Sequence, residues 1–417
     1  MRAEGKAHAP RNVNAVSKPS AIKAERPLRV GFLYNHEGVH QVRHSAVVIP
    51  QLLERHPHIQ ITVLATSEAL IEAVIGVCGP ELIGRVEIIK LSRPAWRKPL
   101  AGVLDKVSPF SRLDNLYSNR DLFAKFDALI VTEGTSLFLK KLRGLEHLKI
   151  IRIDHGAGDR SIGFTPSFSG NDLVLIAGEK QRERFLRSGY LREDQIAVVG
   201  YTKFDAVNAL DGSRKKLFAD DKPVVLYNPH PEPRLSSWYK MGIEVLDFFR
   251  TSKDYNLIFA PHVMLFRRRL HISLESWAAR VRRNLPRRFH DCPHMLIDTG
   301  SPASVDMTYT LAADIYLGDV SSQVYEFLVQ RRPCVFLNAH GADWQHDANY
   351  AFWKFGPVLD DVAHLGAALD GVVTSHDRYR PIQEAAFQDT FDLQPVASSV
   401  RAADAIAGFL NARYLAA

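Results

Sequence analysis

Short, continuous apolar runs alternate with stretches of helical periodicity along most of the chain. A strand that is apolar at consecutive positions is buried on both faces, which is typical of a parallel sheet covered by helices. The first series of runs predicts strands at residues 28–34, 59–65, 86–91, 126–131, 148–153, 173–177 and 195–199. A second series predicts strands at residues 224–227, 256–260, 295–297, 315–317 and 333–337.

The polar segment 211–222 separates the two series and is interpreted as a linker. The pattern on each side predicts a doubly wound, Rossmann-like α/β domain, and the two domains are expected to face each other across a ligand-binding cleft. The predicted division is a disordered basic tail at 1–26, an N-terminal domain at 27–210, the linker, a C-terminal domain at 223–397 and a C-terminal helix at 398–417.

Segment 311–329 is predicted to form a strand, a tight turn and a helix. Gly318 and Asp319 end the strand, and Ser321 or Ser322 would cap the helix. Free N–H groups, two hydroxyls and the positive end of the helix dipole would favour a phosphate there. The alternative is an ordinary strand-to-helix connection with a serine cap.

The composition agrees with a two-domain globular protein that works in the cytoplasm. The 417 residues exceed one ordinary core, and the contents of 46% hydrophobic and 24% charged residues are typical of soluble proteins. The three cysteines form no CxxC pair and are expected to be reduced thiols. No apolar run approaches the roughly 18 residues that a membrane-spanning helix needs.

The net charge of +7 is concentrated in two basic segments, residues 1–29 and 261–290, while the remainder is net negative. Such patches suit an anionic membrane face or a polyanionic substrate, and argue against a protein devoted to nucleic acid. Apolar residues at three- and four-residue spacing within 266–283 predict a basic amphipathic helix, either at a membrane surface or packed on the core.

Polar side chains follow most of the predicted strands, and two histidines are the main catalytic candidates. His155 and Gly156 follow a very apolar strand, with Asp154 or Asp159 expected to orient the imidazole as a general base. His262 occupies the corresponding place in the second domain, where it would act on a phosphate or a leaving group. The alternative for each is a loop histidine with a structural hydrogen bond.

Glu326 lies on the predicted helix after Ser321, where it would accept hydrogen bonds from ribose hydroxyls. The alternative is a solvated helix glutamate. The sequence contains no DxD or Walker motif, and neither a protein-bound metal nor another cofactor is expected, apart from an Mg²⁺ ion that the nucleotide could carry.

The ordered motifs of residues 120–360 resemble the CDP-glycerol glycerophosphotransferase family, the teichoic acid primases and polymerases. The segments that carry the resemblance are 155–156 (His-Gly), 200–205 (Gly-Tyr-Thr-Lys-Phe-Asp), 224–229 (Val-Val-Leu-Tyr-Asn-Pro), 258–262 (Ile-Phe-Ala-Pro-His), 312–322 (ending Gly-Asp-Val-Ser-Ser) and 332–336 (Arg-Pro-Cys-Val-Phe). The resemblance implies a GT-B fold, with the acceptor on the N-terminal domain and the nucleotide donor on the C-terminal domain.

The resemblance also implies roles for individual residues. His155 would deprotonate the acceptor hydroxyl, His262 would contact the donor phosphate, and Ser321 and Ser322 would hold its pyrophosphate. The nucleotide-binding set that follows is Asp319, Ser321, Ser322, Glu326 and Asn228, and the set for the acceptor or its phosphate is Gly156, Arg160 and Lys203.

Three motifs depart from the family pattern. Arg160, in His-Gly-Ala-Gly-Asp-Arg, is expected to replace the lysine that usually lies near His-Gly-Thr-Pro. Lys203, in Gly-Tyr-Thr-Lys, stands where Gly-Tyr-Pro-Arg is usual, and Asn228 begins Asn-Pro-His-Pro where Ala-Pro-Thr is usual. These departures affect the choice of donor and acceptor.

The resulting hypothesis is a transferase that moves a phospho-alcohol group from a CDP-linked donor to a lipid-linked or polymer acceptor in cell-surface polymer synthesis. It would lie in the cytoplasm and bind peripherally to the inner face of the cell membrane. The alternatives are a GT-B glycosyltransferase that uses a nucleotide sugar, a UDP-sugar 2-epimerase and a non-catalytic nucleotide-binding protein.

Overall fold

The computed structural model describes residues 27–36, 38–97, 104–105, 108–273 and 277–414. The tail predicted at residues 1–26 and the last three residues of the predicted C-terminal helix lie outside the described part of the chain. The described residues form two parallel-sheet α/β domains, as the hydrophobic pattern predicts.

The first sheet has seven parallel strands in the order β3-β2-β1-β4-β5-β6-β7. Its middle strands are buried on both faces, which explains why their sequences are apolar without alternation. The strands are β1 (Leu28–Tyr34), β2 (Ile59–Ala65), β3 (Glu87–Lys90), β4 (Ala128–Val131), β5 (Lys149–Ile153), β6 (Leu173–Ile176) and β7 (Ile196–Val198).

The second sheet has six parallel strands in the order β12-β9-β8-β13-β14-β15. A separate antiparallel hairpin, β10-β11, lies between β9 and β12 in the chain. These strands are β8 (Val224–Asn228), β9 (Asn256–Phe259), β10 (Leu270–Ser273), β11 (Ala278–Val281), β12 (Met295–Ile297), β13 (Ile315–Gly318), β14 (Cys334–Leu337) and β15 (Val358–Leu359).

The helices connect successive strands and cover both faces of the sheets. Ser67 caps the helix after β2, its hydroxyl accepting from the N–H of Leu70. The described α-helices are α1 (Val42–Ala46), α2 (Val48–Arg55), α3 (Glu68–Cys78), α4 (Phe110–Ser118), α5 (Arg120–Phe123), α6 (Glu179–Ser188), α7 (Thr202–Ala206), α8 (Gly242–Thr251), α9 (Val263–Arg267), α10 (Thr308–Ala312), α11 (Gln323–Phe327), α12 (Leu365–Thr374), α13 (Arg380–Thr390) and α14 (Ser398–Tyr414).

The last helix, α14, returns to the first domain. Its apolar face, which includes Ile406 and Leu410, is buried in the same core as β1, β2 and α2. Asp404 pairs with Arg55 at 2.8 Å, and the hydroxyl of Tyr414 donates to a backbone carbonyl beside β4. The final segment of the chain therefore belongs physically to the N-terminal domain.

The prediction of an amphipathic helix within residues 266–283 is wrong. The chain forms only the short α9 there, followed by the β10-β11 hairpin, in which Leu270 pairs with Val281 and Ile272 with Ala279. Because Leu270, Ile272 and Val281 are exposed, no core is available to bury the apolar face of a helix. The three- and four-residue spacing of apolar residues fits one face of a helix, but here these residues lie on the strands of an exposed hairpin. Across the described residues, no helix is both long and apolar enough to cross a membrane.

Candidate active site

The carboxyl ends of the central strands of the two sheets face each other. In each sheet the strand order reverses between two neighbours, β1 and β4 in the first domain and β8 and β13 in the second. Loops diverge at such a point and leave a crevice in which ligands bind in doubly wound sheets. The predicted site residues lie at or after the carboxyl ends of β5, β7, β8, β9 and β13.

A cavity of about 270 Å³ lies between the two sets of loops. His155, Gly156 and Arg160 line it from the loop after β5, and His230 and Ser322 line it from the second domain. Both domains therefore contribute to one site, and the four predicted residues His155, Gly156, Arg160 and Ser322 are brought together in it.

His155 is held in one tautomer. Its Nδ1 lies 2.8 Å from the carbonyl oxygen of Thr132 and therefore carries the proton. Its Nε2 lies 3.4 Å from the side-chain nitrogen of Gln41, whose oxygen accepts from the Thr132 hydroxyl at 3.2 Å. Burial lowers the pKa of His155, so the ring stays neutral with an Nε2 lone pair. This geometry suits a general base.

The expectation that Asp154 or Asp159 orients this imidazole is wrong. Asp154 accepts from Arg152 at 3.2 Å and from Gln181 at 2.9 Å. Asp159 accepts from Lys180 at 2.9 Å and from the hydroxyl of a tyrosine in the second domain. A backbone carbonyl after β4 takes the role that sequence proximity suggested for a carboxylate, and no sequence motif marks a carbonyl.

Glycines in the loop after β5 allow the two domains to approach closely. A Cβ on Gly158 would lie 2.8 Å from the Cβ of Ser322, so a side chain at position 158 would push the domains apart. A Cβ on Gly156 would meet no atom closer than 4.0 Å, which leaves open space beside His155. Gly158 thus serves the domain contact, whereas Gly156 leaves room in the cavity.

His262 lies outside the lining of this cavity, beside His230, which lines it. Its ring centroid is 5.7 Å from that of His230 and 6.5 Å from that of His40 in the first domain. Its Nδ1 accepts from the N–H of Met264, which leaves Nε2–H as the donor. Burial lowers the pKa of His262 to about 4. A neutral His262 is suited to donate a hydrogen bond to an anion.

The two serines after β13 differ in their surroundings. Ser322 lines the cavity, whereas Ser321 is buried and its hydroxyl accepts from the N–H of Gln323 at 3.3 Å. The helix that follows, α11, has only five residues. The strand, turn and helix predicted for this segment are present, but so short a helix adds little dipole. Any anion bound here depends on side chains from both domains.

Glu326 and Lys203, predicted to contact different ligands, contact each other. The two oxygens of Glu326 lie 2.7 and 2.8 Å from the Lys203 ammonium, and the Tyr201 hydroxyl donates to the same carboxylate at 2.9 Å. All three side chains are buried. In this structure the pair joins the domains, and the predicted contacts of Glu326 with ribose and of Lys203 with acceptor phosphate remain predictions.

Asp319 and Asn228 form hydrogen bonds inside the second domain. Asp319 is 1% exposed and accepts from the N–H groups of His230, Ser237 and Val320 and from the Ser237 hydroxyl. Asn228 donates to a backbone carbonyl after β9 at 2.6 Å. Both residues therefore shape the loops, and their predicted contacts with the donor remain predictions.

Three further histidines near the site come from the segment after β1. His36 lies directly after the strand, and His36, His40 and His44 recur every four residues, a spacing that is visible in the sequence. Burial lowers the pKa of His36 to about 4 and that of His40 to about 3. Within the described part of the chain, no cluster of His, Cys, Asp or Glu side chains could hold a metal ion.

Two parallel-sheet domains whose strand ends face across a cleft define the GT-B fold, and this chain has that fold. A solved structure of the wall teichoic acid polymerase TagF aligns with a TM-score of 0.59 at 15% identity, covering 94% of this chain and 90% of that chain. Another structure of TagF, described with CDPG, aligns over the same share of this chain.

The S. aureus MnaA–UDP structure has a TM-score of 0.59 at 12% identity and covers 92% of this chain and 97% of that chain. A UDP-N-acetylglucosamine 2-epimerase has a TM-score of 0.56 at 12% identity, with coverages of 94% and 96%. Comparison of the sequence with protein-family models and with curated proteins finds no match. The GT-B fold that the resemblance of the motifs implies is thus confirmed.

Proposed function

We propose that this protein transfers a phospho-alcohol group, such as glycerol phosphate, from a CDP-linked donor to an acceptor hydroxyl in cell-surface polymer synthesis. The observation that carries the proposal is the neutral His155, whose Nδ1–H is bound by the Thr132 carbonyl and whose Nε2 is the basic atom. The base lies in a cavity that also contains Arg160, Ser322 and His230. Base and anion-binding groups therefore lie in one site.

The proposed reaction begins when His155 Nε2 takes the proton of the acceptor hydroxyl. The hydroxyl oxygen attacks the β-phosphorus of the donor and forms the new phosphodiester bond. The bond between the β-phosphorus and the bridging oxygen breaks, and CMP leaves with the electron pair of that bond. Arg160, Ser322 and the N–H of His262 are the proposed partners of the pyrophosphate oxygens, on which charge increases. His155 later releases its proton to solvent.

The test is to incubate the protein with CDP-glycerol and a hydroxyl-bearing acceptor and to measure CMP. We expect acceptor-dependent release of CMP, which His155→Asn reduces at least a hundredfold. The matched control is His147→Asn, since His147 lies in the same domain on the exposed surface. Full activity of His155→Asn would exclude His155 as the base.

A second candidate function, UDP-sugar 2-epimerisation, is favoured by the structural similarity to MnaA bound to UDP and to a second epimerase. An epimerase needs no acceptor. Conversion of UDP-N-acetylglucosamine to its 2-epimer without added acceptor, and no release of CMP from CDP-glycerol, would replace the proposed transfer with this function. UDP release that requires an acceptor would instead indicate a glycosyltransferase.

We propose that the β10-β11 hairpin binds the protein to an anionic membrane surface, at the cytoplasmic face where a CDP-linked donor is available. Trp277 is 88% exposed, and Ile272 and Val281 are exposed on the strands. Arg268 and Arg269 lie exposed beside them. An aromatic ring with apolar and basic neighbours is typical of surfaces that enter the headgroup region.

Co-sedimentation with vesicles tests this membrane proposal. We expect binding to vesicles that contain phosphatidylglycerol and little binding to pure phosphatidylcholine. Replacing Arg268 and Arg269 by Gln should cost roughly 2 kcal/mol of vesicle affinity, at about 1 kcal/mol for each arginine. Replacing the exposed Arg120 and Arg187 in the same way is the control. Equal vesicle binding by the two double variants would exclude the hairpin as the membrane-binding surface.

A further inference from the structure

A second, larger cavity lies at the strand ends of the first domain and shares no lining residue with the first. Its volume is about 530 Å³, and the ends of β1, β2 and β3 and helix α4 surround it. Lys90, Arg93 and Arg112 line it from the first domain, and Arg267 lines it from the end of α9 in the second. None of its described lining residues is a carboxylate.

The cations of this cavity are held in place by different kinds of partner. Arg112 pairs with Glu133 and donates to the backbone carbonyl of Asn35 at 3.0 Å. Among the described residues, Arg93 has a hydroxyl as its partner, since it donates to Ser111 at 2.7 Å. A guanidinium carries five N–H donors, so Arg93 retains donors for a ligand. Lys90 pairs with Glu68 at 2.8 Å, so the excess positive charge of this preorganised cavity comes chiefly from Arg93.

His36 supplies an independent observation that points to a ligand. Its side chain lines the cavity and is 6% exposed, and neither ring nitrogen has a hydrogen-bond partner within the described residues. A buried polar group without a partner costs free energy, and such groups in native structures need an explanation. A ligand with both acceptor oxygens and a proton to donate would satisfy both nitrogens.

We infer that this cavity binds the phosphate group of a phosphate ester, held by Arg93, Arg112 and His36. Tetrahedral phosphate oxygens match several convergent cationic donors, and guanidinium groups bind phosphate with paired hydrogen bonds. The cavity also exceeds the space that a lone phosphate fills, which leaves room for the attached alcohol. The identity of the ligand rests on the proposed function: it is the acceptor, whose phosphate binds in this cavity while its hydroxyl reaches His155.

Binding is tested without turnover by titrating the protein with glycerol 3-phosphate, inorganic phosphate and glycerol in a calorimeter. We expect Arg93→Gln to weaken glycerol 3-phosphate binding at least tenfold, and Arg120→Gln, an exposed control in the same domain, to leave it unchanged. Tighter binding of inorganic phosphate than of the ester would overturn the ester assignment, and equal binding by wild type and Arg93→Gln would overturn the site.

Kinetics test the link to the acceptor separately. With CDP-glycerol as donor, Arg93→Gln should raise the KM for glycerol 3-phosphate about tenfold and leave that for glycerol unchanged. Equal changes for the two acceptors would overturn the acceptor assignment. If CDP-glycerol yields no CMP with any acceptor, the proposed function fails, and the calorimetric result alone decides whether the phosphate site exists. Unchanged thermal unfolding of Arg93→Gln shows that the variant folds.

Discussion

The two sheet edges that form the cleft use their polar side chains differently. At the first edge, no strong donor among the described residues binds the Nε2 lone pair of His155, and neither ring nitrogen of His36 has a hydrogen-bond partner among them. At the second edge, Asp319 and Asn228 form hydrogen bonds within their own domain. The first edge thus keeps binding capacity for a ligand, whereas much of the second maintains the shape of its loops.

This difference shows that a polar residue after a strand can have either of two roles. The position places His155 and Asp319 at the same kind of site, the carboxyl end of a central strand. The two residues differ in the number of hydrogen-bond partners: four donors surround Asp319, whereas within the described part of the chain Nε2 of His155 has only the long contact with Gln41. The following predictions test that distinction, from the largest expected effect to the smallest.

Removal of the base should have the largest effect. We expect His155→Ala to lower kcat of the proposed transfer about a thousandfold, because general base catalysis typically contributes 10²–10⁴. The free energy of unfolding should change little, since the ring makes few hydrogen bonds. Steady-state CMP release and urea denaturation measure the two quantities. A large loss of stability with little loss of kcat would show that His155, like Asp319, has a structural role.

Asp319→Ala should show the opposite pattern. It leaves four buried donors without their acceptor, and we expect the free energy of unfolding to fall by about 3 kcal/mol. Urea denaturation of the variant against wild type measures this loss. Ser301→Ala, which removes an exposed hydroxyl that donates to Asp298, is a control with a smaller expected loss. If Asp319→Ala were as stable as the wild type, the structural role of Asp319 would be excluded.

Gln41→Leu should have an intermediate effect on activity. The Gln41 amide donates to Nε2 of His155 and thereby favours the neutral ring. Without it, the pKa of His155 should rise, and the acid limb of kcat/KM should move to higher pH. We also expect kcat to fall about tenfold, because the ring loses one support. A pH–rate profile identical to that of wild type would exclude this positioning role.

The smallest effect should appear in the pH dependence of stability. Burial lowers the pKa of His36 from 6.5 to about 4, so below pH 6.5 the unfolded chain takes up a proton that the folded protein does not. Stability therefore falls as the pH decreases through this range, by about 1 kcal/mol for this histidine between pH 7 and 5.5. Denaturation of His36→Gln should show a shallower decrease. Parallel curves for the variant and wild type would contradict this contribution.

The sequence predicted the fold well because its signals are local. Continuous apolar runs located the strands of both sheets except the two-residue β15, and polar residues after them located the cleft. Partners were not predictable, because they come from distant parts of the chain: Lys203 meets Glu326, and Thr132 meets His155. The hairpin was missed because apolar residues of 266–283 fit a helical spacing, although no neighbouring surface is available to cover them.

Helix α14 has a practical consequence for dividing this protein into fragments. The core of the first domain includes Ile406 and Leu410, so a fragment that stops in the 211–222 segment would leave that core uncovered. The chain also passes between the domains twice, once in each direction. These two crossings act as a double tether, so that a cut in only one of them would leave the domains connected.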